Sequence, residues 1–123
     1  MTEYKPFDIK ERSFLFALDC LRLCKTISDD YQEFIMTKQL SRSATSVGAN
    51  IREAQNGISK RDFIHKLTIS QKECHESIYW IELLSAFLEL ESHEIMRLQK
   101  EANELLLILS SIIVKSRNRM LPE

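Results

Sequence analysis

Apolar residues recur at steps of three and four along most of this chain, the spacing that places them on one face of an α-helix. Between positions 40 and 58, Leu40, Ala44, Val47, Ile51, Ala54 and Ile58 alternate steps of four and three, which is the single seam of a bundle helix. Ser41, Ser43, Ser46 and Gly48 keep that segment thin, so a neighbouring helix can approach closely. The pattern and its punctuation predict four helices, at about 9–27, 37–56, 60–88 and 92–116. Asp8, with Glu11 three residues on, makes a capping box for the first, and Ser28-Asp29-Asp30 is expected to end it. Asn56-Gly57 should stop the second, with Gly57 in the left-handed conformation of a C-cap. Ser59 is the expected cap of the third, with Asp62 in its first turn. Glu94 suits the start of the fourth, Lys115, Arg117 and Arg119 suit its end, and Pro122 lies beyond.

Short connections make successive long helices antiparallel. The expected fold class is all-α, an antiparallel up-down-up-down four-helix bundle, with residues 1–123 forming one domain. Two glycines and two prolines are too few for a sheet-rich or loop-rich fold.

The helices carry more apolar surface than one core requires. In the third, Ile64, Leu67, Cys74, Ile78 and Ile81 form one stripe, while Ile69, Trp80, Leu83 and Phe87 form another on roughly the opposite side. The fourth contains the run Leu105 to Leu109, and the first has Phe14, Leu15, Phe16, Leu18, Leu21 and Leu23 around most of its circumference. Exposed apolar area costs about 25 cal/mol per Å2, and large contiguous patches mark interfaces. Self-association is therefore expected, with Ile69, Trp80, Leu83 and Phe87 as the oligomer interface.

Charge adds a second possibility. The net charge is −1, yet the segment 38–72 holds Lys38, Arg42, Arg52, Lys60, Arg61, Lys66 and Lys72 against Glu53 and Asp62. The segment 73–104 is acidic in turn. A dipolar chain of this kind pairs with itself or attracts a polyanion at one end. Lys60, Arg61 and Lys66 are the candidate nucleic-acid contacts, and any such binding should be weak and electrostatic. Aromatic residues sit mostly in the apolar stripes, so no base-stacking platform is evident.

No apolar run approaches the roughly 18 residues of a membrane span. Charged residues within Met1 to Lys10 argue against a secretory signal, and three cysteines, an odd number, argue against a disulfide framework. A cytoplasmic setting is expected. Cys20 and Cys24 lie one turn apart, but no further Cys or His cluster at ligand spacing joins them, so they read as small core residues. His65, His75 and His93 form no pair four apart. Phosphate-binding glycine loops and the di-metal Glu-x-x-His pattern are absent. No enzyme activity, metal, cofactor or small-molecule substrate is expected.

One polar set stands out. Arg42, Ser46, Asn50 and Glu53 share a flank of the second helix, about 125° from its apolar seam at 100° per residue. Glu76 falls inside the second apolar stripe of the third, where a carboxylate needs a partner. Arg42 or Asn50 is the expected one. The cluster reads either as a ligand or nucleic-acid site, or as a device that fixes helix register or subunit geometry.

The run from Gln39 to Ala54, QLSRSATSVGANIREA, continues with Ser59 to Leu67, SKRDFIHKL, and then Glu76-Ser77 and Tyr79-Trp80. These segments resemble the bacterial four-helix bundle proteins encoded in ribosomal RNA intervening sequences, often called ribosomal-protein-like. The likeness covers nearly the whole chain and is strongest from Leu40 to Leu84. It implies an antiparallel bundle that assembles into a ring, typically a pentamer, with no known enzyme activity and no established molecular function. A related branch, the accessory protein of diversity-generating retroelements, uses a strongly basic ring to contact nucleic acid. This chain departs from that branch in its net charge of −1. It also has Gly48 and Ala54 where relatives carry proline and glycine, a change that should straighten the second helix. The sequence thus supports a non-enzymatic homo-oligomeric scaffold or adaptor, with a nucleic-acid-binding accessory protein using segment 38–72 as the alternative.

Overall fold

A computed structural model describes residues 9–119 as four helices, α1 (Ile9–Tyr31), α2 (Ile35–Gln55), α3 (Lys60–Leu88) and α4 (His93–Asn118). No strand occurs among the described residues. Each helix packs on its chain neighbours, and α4 closes back on α1, giving the antiparallel up-down-up-down bundle. The closest pairing is α2 on α3 and the sparsest is α1 on α4.

Two boundaries differ from the sequence expectation, both at the α1–α2 connection. Ser28-Asp29-Asp30 does not end α1, because its side chains bond back into the helix. Ser28 Oγ donates to the Lys25 carbonyl at 3.1 Å, and Asp29 pairs with Lys25 at 3.3 Å. The helix runs on to Tyr31, and Gln32 takes the left-handed conformation at φ 57°. α2 then starts early, at Ile35, because the Glu33 carboxylate accepts from the amides of Ile35, Met36 and Thr37 at 3.1, 3.1 and 2.9 Å. One side chain satisfies three of the amides that a helix start leaves open. The expected Asp8 cap lies outside the described residues.

Ser59 accepts from the Asp62 amide at 3.1 Å, and Ser92 caps α4 in the same way through Ile95 at 3.2 Å. Gly57 does not adopt a left-handed conformation. Its role is room: a Cβ there would lie 2.7 Å from Asp62 Oδ2 and 3.0 Å from the Ala54 carbonyl oxygen. Ile58, expected on the α2 seam, projects from this turn fully exposed, since the helix ends before it.

The core is a column of Phe16, Ile27, Leu40, Ile51, Leu98 and Leu105 with smaller residues between them. Between α2 and α3 that filling is largely hydroxyls. Ser70 Oγ donates to the Val47 carbonyl at 2.7 Å, and Ser77 Oγ donates to Ser43 Oγ at 2.9 Å, both fully buried. Small hydroxyl side chains bring the two backbones together and satisfy their own polar atoms. These contacts fix the register that sets the outer face of the pair.

Candidate functional site on the outer face of α2 and α3

With Ser43 level with Ser77 and Val47 level with Ser70, the two groups singled out in the sequence meet on one surface. Ile69, Glu73, Glu76, Trp80, Leu83 and Phe87 descend the side of α3 that borders α2, and Arg42, Ser46, Asn50 and Glu53 line the facing flank of α2.

Arg42 is the centre of the polar part. Its Nη1 donates to Glu73 Oε2 at 2.8 Å, its Nη2 pairs with Glu76, and its Nε reaches Gln39 Oε1 at 3.4 Å. One guanidinium thus holds two carboxylates that lie a turn apart on α3, leaving the cluster with an excess of negative charge. Glu73 is the more enclosed of the two acids. Sequence reasoning did not single it out. The signal was present, because Glu73 and Glu76 are one turn apart and both lie within reach of a long side chain at position 42. The guanidinium itself is about half exposed, so this cluster is a surface clamp and not a buried ion pair.

Ser46 and Asn50 turn inward to their own helix. Ser46 Oγ donates to the Arg42 carbonyl at 2.9 Å, and Asn50 Nδ2 to the Ser46 carbonyl at 2.8 Å. Asn50 is thus bound to its own helix, and it is Arg42 that meets Glu76. Glu53 pairs with Lys66 at 3.1 Å. That removes Lys66 from the free cations, whereas Lys60 and Arg61 are exposed at the start of α3.

The apolar part is graded. Ile69 and Trp80 are half-buried against the bundle, Leu83 is 36% exposed and Phe87 is 69% exposed. Ile35, at the start of α2 and 77% exposed, lies at the same end. Tyr79 meets Trp80 edge-on with ring centres 5.0 Å apart. The Trp80 Nε1 atom is buried and has no hydrogen-bond partner among the described residues.

The three thiols sit in the core, away from this face. Burial raises the pKa of all three, and pushes Cys74 up to about 12. Cys74 Sγ donates to the Ala102 carbonyl at 3.2 Å. They stay protonated at neutral pH, which leaves little of the nucleophilic thiolate. No group of three or more His, Cys, Asp or Glu side chains converges on a metal position among the described residues. No helix among them is long and apolar enough to cross a membrane.

Residues 5–111 match the family model for the 23S rRNA-intervening sequence protein. The chain belongs to that family. Its bundle is similar to the crystal structure of a protein with unknown function from the S23 ribosomal protein family of Bacteroides thetaiotaomicron. The two share 40% identity over 85% of this chain and 97% of that one, with a TM-score of 0.82. No curated protein matches the sequence. The family is one of unknown function, and neither description carries an enzyme activity.

Proposed function

We propose that this 23S rRNA-intervening sequence protein is a non-enzymatic homo-oligomeric scaffold, assembling into a pentamer-sized ring through the outer face of α2 and α3. The observation that carries the reading is the exposed apolar line ending in Leu83 and Phe87, with Ile35 beside it. Fully burying a side chain of that size is worth about 1.5–3 kcal/mol, and most of that gain is still open to Phe87 and Ile35 and about a third of it to Leu83. A patch flanked by a fixed polar cluster has the anatomy of an interface, in which apolar anchors supply energy and charged groups supply register. The buried Trp80 N–H without an acceptor lies at the inner edge of this same patch.

Light scattering on the purified chain tests the reading. The expected mass is several times the 14.4 kDa of one chain. Replacing Leu83 and Phe87 by Glu should reduce it to that of one chain with helix content unchanged. A wild-type monomer across the micromolar range would overturn the reading.

A second reading has its own observation. Lys60, Arg61, Lys115, Arg117 and Arg119 are exposed at the end of the bundle where α3 begins and α4 finishes. Weak electrostatic binding of nucleic acid is consistent with that placement. Gel shifts of a duplex RNA in low and high salt test it, with Lys60→Glu and Arg61→Glu expected to abolish any shift.

A further inference from the structure

A trough runs between α1 and α2, on the face of the bundle next to the α2–α3 surface. It encloses about 410 Å3, within the range of roughly 300–1,000 Å3 typical of small-molecule sites. Its two sides are built from opposite kinds of residue. α1 supplies Phe14, Leu18 and Leu21, about one to a turn, and α2 supplies Thr45, Gly48 and Ala49. Large side chains on one helix facing small ones on the other leave a hollow that neither fills. Gly48 lies against Ser13, which closes the hollow from behind. Phe14 and Leu21 stay 51% and 41% exposed on its rim.

Only two of the lining residues are polar, Thr45 and Arg52. Thr45 directs its hydroxyl to the Ser41 and Arg42 carbonyls of its own helix, at 2.8 and 3.0 Å. Arg52 is different. Helical side chains lean towards the N-terminus of their helix, so Arg52 leans back along α2 to the lower end of the trough. Its guanidinium lies over the Phe14 ring, 5.3 Å from the ring centre. That contact uses one face of the guanidinium and leaves the N–H donors in its plane open. Arg12, Arg22, Arg42 and Arg97 each meet a carboxylate. The Arg52 side chain meets neither a carboxylate nor a hydrogen-bond acceptor among the described residues.

We infer that this trough binds a small amphipathic carboxylate, an aliphatic chain of medium length lying between α1 and α2 with its carboxylate on Arg52. An apolar hollow with a single open set of donors at one end calls for a ligand that is apolar along its body and anionic at its tip. One guanidinium matches one singly charged carboxylate in two-point fashion. The shape limits the chain. From Phe14 to Leu21 is two helical turns, about 10 Å. Above Leu21 the lining turns polar, with Lys25, Ser28, Asp29 and Lys38. The ligand is therefore held between a cation below and a polar rim above. Every residue of the site comes from one chain, so the inference does not depend on self-association.

Decanoate, kept below its micelle concentration, is the probe, with binding read by isothermal titration calorimetry. Saturable one-to-one binding is expected, with amide shifts in nuclear magnetic resonance spectra centred on residues 14–21 and 45–52. Decanol has the same chain without the charge and should bind about tenfold more weakly, the worth of one charge-assisted hydrogen bond. Arg52→Gln should weaken decanoate by a similar factor and leave decanol unchanged, while Arg52→Lys should keep part of the difference. Ala49→Leu, at an exposed position of α2, fills the trough and should abolish binding of both. If circular dichroism shows that this variant loses helix content, Thr45→Leu at a second exposed position takes its place. Affinity should rise from hexanoate to decanoate and then level off. The inference is overturned if decanoate does not bind, if decanol binds as tightly, or if Arg52→Gln or the filled variant binds decanoate like the wild type. Affinity that keeps climbing with chain length would show plain adhesion to exposed apolar surface, and would overturn it equally.

Discussion

Ser77 on α3 donates its hydroxyl to Ser43 on α2 across 2.9 Å, and neither residue is exposed to solvent. The same Ser77 oxygen also lies 2.9 Å from the Glu73 carbonyl of its own helix. This contact sits at the closest helix pair of the bundle, and it leaves no space for a larger side chain. Ser43→Leu should therefore cost about 1–3 kcal/mol by overpacking. Chemical denaturation read by circular dichroism checks the value. Ser43→Ala should cost less, about 1 kcal/mol, since it deletes a partner without adding volume.

Arg42 couples to Glu73 and Glu76 on a half-exposed surface. The expected loss for Arg42→Ala is about 1 kcal/mol, the scale of screened pairs and well short of a buried charge left alone. Arg42→Ala combined with Glu73→Ala should cost less than the two single losses added together. Strict additivity in that double-mutant cycle would show that the pair is not coupled. Added salt should shrink the coupling.

The two glycines should respond oppositely to alanine. At Gly57 a methyl group would meet a carboxylate oxygen at 2.7 Å and a backbone carbonyl at 3.0 Å, so Gly57→Ala should destabilise by about 1–2 kcal/mol as the turn shifts. At Gly48 the nearest atom is the Ser13 hydroxyl at 3.4 Å, an ordinary contact inside a helix. Gly48→Ala should be neutral or stabilising by up to about 1 kcal/mol. Thermal melts of the two variants, shifted in opposite directions, are the expected result.

Glu33 gathers three amides at the start of α2. Glu33→Ala should cost about 1–2 kcal/mol, with the earliest effect on amide exchange at Ile35, Met36 and Thr37. An unchanged exchange rate there would show that the carboxylate is dispensable.

The buried thiols should be silent. With Cys74 pushed up to about 12 and the other two also raised by burial, a disulfide reagent at pH 8 should react only as fast as the protein opens. Reaction of any thiol at the rate of a free cysteine would contradict the burial described here.

The bundle was legible in the sequence because four long apolar periods, separated by clear stop signals, admit few other arrangements. What misled was local. Ser28-Asp29-Asp30 has the composition of a turn, but its side chains hydrogen-bond and ion-pair within the helix, and single-residue preferences do not register such pairs. Glu33 was missed as a cap because its carboxylate reaches forward past Phe34, a spacing outside the usual serine or aspartate pattern. The polar flank of α2 and the second stripe of α3 were each visible on a helical wheel. That they form one surface was not, since this depends on the register set by Ser43 and Ser77.

The α1–α4 edge differs in kind from the other three. There the visible cross-links are ionic: Arg12 with Glu101 and Glu104, and Arg97 with Asp19. The backbones of this pair also stand furthest apart, bridged by longer side chains and by charge, where α2 and α3 are drawn together by buried hydroxyls. Transient opening of the native bundle is therefore expected to begin here, like a book at its fore-edge, with the α2–α3 serine contact acting as the spine.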